Sequence, residues 1–188
     1  MATGIWAVLA EAERLAWSFT PFEHVGPLRF GMTHDQARAA VRGSLSVAAS
    51  LGASDGDGWA EFWLERRTEM PGRLAVTTYY DESIGLAGIV INALRGPQVT
   101  LDGMRLVAQT PSRMEREIAD YLKTCGHELW YSQQADPWSP QLGLVLRIQR
   151  AGDIVLSRPV MVAEAWADRC GDTTEGLLPM REWTTFEW

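Results

Sequence analysis

Two glutamates, Glu61 and Glu65, stand four residues apart in a run of alternating apolar and polar side chains. Paired carboxylates can divide general acid and general base work between them, so a hydrolase or transferase using both beside a tryptophan is one reading. Two solvated carboxylates on a sheet face ordinarily do no chemistry, however, and no catalytic residue is assigned. Cys125 precedes Gly126-His127, which brings a thiol near an imidazole in the sequence. A turn between them separates the side chains, and the expectation is a buried structural cysteine rather than a nucleophile. Cys170, between Arg169 and Asp172 in a loop-like stretch, has less support still. His24, His34 and His127 have no histidine or carboxylate partner at the spacing of a zinc helix. Asp55-Gly-Asp-Gly58 looks like the start of a calcium loop, but the twelfth position counted from Asp55 is Arg66, where a carboxylate is required. There is no GxSxG, P-loop or GxGxxG pattern. No enzymatic activity, metal or cofactor is expected.

One surface does stand out. With Ala60, Phe62 and Leu64 facing a core, the alternation of a strand turns Trp59, Glu61, Trp63 and Glu65 to the other side. On the following strand Leu74, Val76, Thr78 and Tyr80 are expected inward, and Ala75, Thr77 and Tyr79 outward. Two tryptophans and a tyrosine exposed together mark an interaction site. The competing expectation is that the N-terminal helix or the second repeat covers this face.

Charge favours the same region. The 188 residues carry a net charge of −7, which argues against binding nucleic acid through its phosphates. Residues 55–82 hold seven acids against three arginines, and residues 161–188 hold six against two, so each stretch is −4. Acidity concentrated in this way can steer a basic partner, with acidic solvated turns as the ordinary alternative. Of the 17 basic residues only Lys123 is a lysine, read as codon bias. Two cysteines without a CxxC spacing favour a reducing cytoplasm over export. The apolar start is interrupted at once by Glu11 and Glu13 and has no positive leader, so neither a signal peptide nor a membrane span is expected.

The elements that would position this face come from periodicity. Ile5, Val8, Leu9, Ala12, Ala16 and Phe19 recur at three- and four-residue steps, predicting an amphipathic helix within the segment 1–21 that stops near Ser18, since Pro21 cannot continue it. It is expected to pack on the main core, with a dimerisation or partner helix as the alternative. Thr33 with Gln36 reads as a capping box opening a helix that ends near Gly43, and Gly31 permits the turn before it. Strands are predicted from Trp59, over 74–80 after a Pro71-Gly72 turn, over 84–94, and over 98–101, as an antiparallel meander. Gly103-Met-Arg-Leu106 echoes Gly26-Pro-Leu-Arg-Phe30, and Thr110-Pro111 opens a second helix with Met114, Ile118, Tyr121 and Leu122 inward. Strands over 127–132, 142–150 and 154–162 follow. The capping threonines lie 77 residues apart, read as a structural repeat or a coincidence of element order. The predicted class is α+β: an N-terminal helix, then two tandem helix-on-antiparallel-sheet units over 22–100 and 101–188, the second with an acidic C-terminal tail. The two are expected to form one globule.

Phe30-Gly-Met-Thr33, followed by Gln36-Ala-Arg-Ala-Ala-Val41 and Gly43, resembles a pattern shared by the β-lactamase inhibitor proteins and the small lipoproteins of the outer-membrane assembly machinery. The resemblance covers about 20 residues by motif and about 135 by element order. It implies an αβ unit, and the inhibitor family implies two in tandem with an aromatic concave surface that grips another protein. The chain lacks the lipid-attachment cysteine and the paired-cysteine framework, so inhibition of an extracellular β-lactamase is not implied. Leu142-Gly-Leu-Val-Leu-Arg-Ile-Gln-Arg150, Ser157-Arg-Pro159 and Glu164-Ala-Trp166 resemble actinobacterial proteins, some of which are taken to be immunity proteins against toxins. No catalytic residue is carried over from either.

The functional expectation is a cytoplasmic, non-catalytic protein-binding module, an immunity-type inhibitor of a basic toxin or enzyme. Its contact surface is Trp59, Glu61, Trp63, Glu65 and Tyr79. A carbohydrate-binding module and a structural subunit of a larger assembly are the alternatives. The partner's identity, the sheet face it meets and the oligomeric state stay open.

Overall fold

The computed structural model describes residues 4, 6–56, 58–65 and 74–184. A 3-10 turn at Glu11–Glu13 leads into strand β1 (Ala16–Thr20), where a helix over 1–21 was expected. Trp17 and Phe19 are buried while Ala16 and Ser18 are exposed, a period of two. β1 runs antiparallel to β2 (His24–Val25) and parallel to β8 (Gln98–Leu101), with Trp17 opposite Val99. Neighbours on both sides satisfy the backbone groups that a helix would have paired internally, and Trp, Phe and Thr suit a pleated surface. Buried Arg14 fastens the segment by donating to the carbonyl oxygens of Gly96 and Ala93, each at 2.7 Å.

β2 turns into β3 (Leu28–Arg29), and Gly31 at φ +87° leads to helix α1 (His34–Ala40). The capping box forms as read: the Gln36 N–H donates to Thr33 Oγ1 at 3.3 Å, and the Thr33 N–H donates to Gln36 Oε1 at 2.8 Å. Four strands follow, β4 (Leu45–Leu51), β5 (Gly58–Leu64), β6 (Leu74–Asp81) and β7 (Gly85–Ile91). The expected Pro71-Gly72 turn lies outside the described residues. Beyond β8 come β9 (Met104–Arg105), helix α2 (Pro111–Thr124), β10 (Trp130–Tyr131), β11 (Pro137–Ser139), β12 (Leu144–Ala151) and β13 (Ile154–Val162). Two short helices finish the chain, α3 (Glu164–Ala167) and α4 (Met180–Thr184). α2 carries Pro111 in its first turn and buries Met114, Ile118 and Leu122 as expected, although Thr110 makes no side-chain cap.

The described residues therefore form 13 strands in two sheets. The larger has the order β10-β11-β12-β13-β7-β6-β5-β4 and the smaller β3-β2-β1-β8-β9. This overturns the α+β class with its N-terminal helix and two helix-on-sheet units. The molecule is β-rich, and antiparallel pairing of β13 with β7 (Val160 opposite Val90) merges both stretches into one eight-stranded sheet. β8 was expected to extend the meander but leaves it for the small sheet. The turn after β7 diverts it, with the Asn92 side chain accepting the N–H groups of Leu94 and Arg95 at 2.9 and 3.1 Å.

The large sheet is covered on both faces. One face packs α1, α2 and the small sheet into a core that includes Phe62, Val76, Ile89, Leu144 and Met161. The other meets the C-terminal segment, where Tyr79, Val90, Val145 and Val160 pack with Trp138, Trp166, Leu178 and Trp183. Strands covered on both sides lose alternation, which is why Leu86 through Ile91 read as a continuous apolar run. Ala75, Thr77 and Tyr79, expected outward on β6, are buried for this reason.

Candidate partner-binding surface

β5 places the residues read from sequence. Ala60 and Phe62 are fully buried, and Trp59, Glu61 and Trp63 project to the opposite side. Trp63 is 38% exposed because its neighbour across the edge strand is Ser46, too small to shield an indole. Glu65, just past the strand, is exposed. Trp59 faces Leu51 on β4 and Tyr79 on β6 and is half-buried. Gly58 allows this start of the strand, since a Cβ there would collide with the carbonyl oxygen of Leu51.

α4 lies over part of this face. The Arg181 guanidinium carbon sits 3.4 Å from the centroid of the Trp59 ring, and Arg181 Nη2 pairs with Glu61 Oε1. Four of the five expected contact residues are thus at the surface or its margin, and Tyr79 is not. At 1% exposure Tyr79 meets no partner as an anchor; its hydroxyl donates to Glu182 Oε2 at 3.0 Å. Burial, then the Glu182 charge, pushes the Tyr79 hydroxyl far above the ordinary tyrosine range.

Glu182 anchors α4 to the sheet. It is fully buried and accepts from Arg158 on both carboxylate oxygens and from Arg147 Nη1 at 3.4 Å. Arg147 also approaches Asp136 at 3.5 Å and lies 5.0 Å from the Trp183 ring centroid. Two guanidinium groups are thereby balanced by two carboxylates in a place with little water, the condition for burying ions at tolerable cost. None of these four charged residues was read from the sequence as part of a site. The available signal was Ser157-Arg158-Pro159 inside an otherwise apolar strand, which demands a buried anion from elsewhere.

A cleft of about 390 Å³ opens beside Trp59, between Leu51, Asp81, Trp166 and Leu177. The Asp81 carboxyl is held below the usual range by the Ser83 hydroxyl, at 2.6 Å, and then by the Ser83 N–H at 2.8 Å. Aromatic floor and anionic rim suit a cation. The acid/base reading fares less well. Glu61 is engaged by Arg181, and a four-residue step along a strand puts its Cα about 13 Å from that of Glu65.

The remaining candidates are scattered. Cys125 is exposed rather than buried as expected, since the helix ends there and Gly126 at φ +77° turns the chain outward. Cys170 is buried, which pushes its thiol up to about 12. His34 is buried with Nδ1 3.4 Å from the Tyr80 hydroxyl. Among the described residues, no three of His, Cys, Asp and Glu come together in a group that could hold a metal. No helix among them is long and apolar enough to cross a membrane. Trp130 and Tyr131, 50% and 56% exposed on the far edge strand β10, are further exposed aromatics not anticipated from sequence; Trp130 packs edge-on to Trp138, and the Tyr131 hydroxyl donates to Glu115. Compared with family models, curated proteins and solved structures, the chain matches none.

Proposed function

We propose that the protein is a non-catalytic, cytoplasmic binding module that occludes a basic protein partner, in the manner of an immunity-type inhibitor, through Trp59, Glu61, Trp63 and Glu65. The observation that carries this reading is Trp63, exposed on an ordered strand beside Glu61 and Glu65. An aromatic side chain held on a sheet costs little entropy to dock, and anions around it select a cationic surface. The net charge of −7 supports the same partner. The reading needs no cofactor, metal, nucleic acid or membrane.

The test is retention of proteins from the source organism's lysate on the immobilised chain, wild type against Trp63→Ala. A basic protein held by wild type and lost by Trp63→Ala is the expected result. The loss should be at least about 2 kcal/mol in binding, with circular dichroism showing the variant still folded at the assay temperature. Glu65→Gln should weaken binding less and flatten its salt dependence, because an exposed rim charge acts mainly on association. A retained set identical for wild type and Trp63→Ala overturns the proposal. Glycan binding by the isolated chain would instead favour a carbohydrate-binding module.

A further inference from the structure

Arg181 occupies the place where a basic partner would first touch this face. Its guanidinium carbon is 3.4 Å from the Trp59 ring centroid and its Nη2 pairs with Glu61. Trp59 and Glu61 are two apart on β5, so both point to one face, and the sheet itself builds the ring-and-carboxylate pair. An indole face attracts a cation and a carboxylate accepts its N–H groups; a planar guanidinium satisfies both at once, which an ammonium does less well. The occupant comes from elsewhere in the chain, on α4. That helix is held by its neighbours in sequence, Glu182 at 0% and Trp183 at 4% exposure, whereas the Arg181 side chain is 33% exposed. The contacts that hold α4 through Glu182 and Trp183 are therefore separate from the contact of Arg181 with Trp59 and Glu61. The Trp59 ring also borders the cleft between Leu51, Asp81 and Trp166.

We propose that Trp59 and Glu61 form a guanidinium-recognition site, with Arg181 as a built-in occupant that an arginine of the partner replaces. This rests on the reading of the face as a surface for a basic protein and names the group it reads. Arg181 then sets a threshold: a partner must outcompete an intramolecular cation, and a single loosely held basic residue does not.

The experiment titrates the full chain with the tripeptide acetyl-Gly-Arg-Gly-amide, following the indole N–H resonance of Trp59 by NMR. Wild type should bind weakly and Arg181→Ala roughly tenfold more tightly, because removing a competing occupant raises the competent fraction. The citrulline tripeptide, of the same shape but uncharged, should bind neither. Glu61→Gln added to Arg181→Ala should cancel the gain, and its melting curve shows whether the fold is intact. Equal affinity of wild type and Arg181→Ala, equal binding of the citrulline peptide, or a gain that survives Glu61→Gln each overturns the proposal. The titration uses no protein partner. A lysate that yields no basic protein therefore removes the broader reading alone, whereas a captured partner with an unresponsive Arg181→Ala removes the exchange alone.

Discussion

Replacing Glu182 by glutamine keeps the shape of the side chain and removes its charge. In the native protein this carboxylate is 0% exposed and accepts from Arg158, Arg147 and Tyr79. The amide can accept on one oxygen only, and its NH₂ group points donors at donors. Arg147 keeps Asp136 as a counter-ion, 3.5 Å away, whereas Arg158 at 2% exposure loses the carboxylate that accepts from both of its terminal nitrogens. Breaking a buried pair by removing one partner costs about 3–5 kcal/mol. At about 2–4 °C per kcal/mol for a chain of this size, Tm should fall by about 6–20 °C. If α4 peels away before the core melts, the loss appears locally, as rapid amide exchange over 177–184. Thermal melts with hydrogen exchange read both outcomes. Glu175→Gln is the control, because the Arg169–Glu175 pair is 59% and 70% exposed and its loss should stay within about 0.5 kcal/mol. Glu182→Leu with Arg158→Met should recover part of the loss, since an apolar pair needs no counter-charge. A Glu182→Gln protein with unchanged Tm and unchanged protection over 177–184 would refute the reasoning.

Other outcomes follow from the same structure. Thr33→Ala removes one half of the α1 capping box and should cost about 1 kcal/mol, measured by urea unfolding. A thiol reagent at pH 8 should label Cys125 at once and Cys170 only after denaturation, counted by mass spectrometry. Burial lowers the pKa of His34, with the Asp35 charge opposing and Arg38 adding to the shift. The unfolded chain therefore binds a proton first, so the stability due to neutral His34 is full above about pH 6.5 and is lost as pH falls through the folded value. Melts from pH 7.5 to 5 should show this decline in wild type and less of it in His34→Gln.

Much of the local structure was legible because its cause is local. Thr33 and Gln36 satisfy each other across one turn, Met114, Ile118 and Leu122 form a stripe at helical spacing, and Ala60 and Phe62 alternate with Trp59, Glu61 and Trp63. These depend on residues within a few positions, and the sequence by itself determined them, together with the outward placement of Trp63. The N-terminal segment was misread because its apolar residues satisfy a helical period and, at Trp17 and Phe19, a strand period as well. Tertiary pairing of β1 with β8, 82 residues away between Trp17 and Val99, decided between them. Tyr79 went astray for a related reason. Alternation assigns it a face of the sheet, but whether that face is wet depends on a segment about a hundred residues later, delivered by Glu182 and Trp183. Long-range burial of this kind leaves no periodic trace in β6, because the covering segment is held by Arg147 and Arg158 on other strands as well as by Tyr79. The sequence determined which side chains share a face; only the tertiary structure decided which face the C-terminal segment closes, and so which of those side chains a partner can reach.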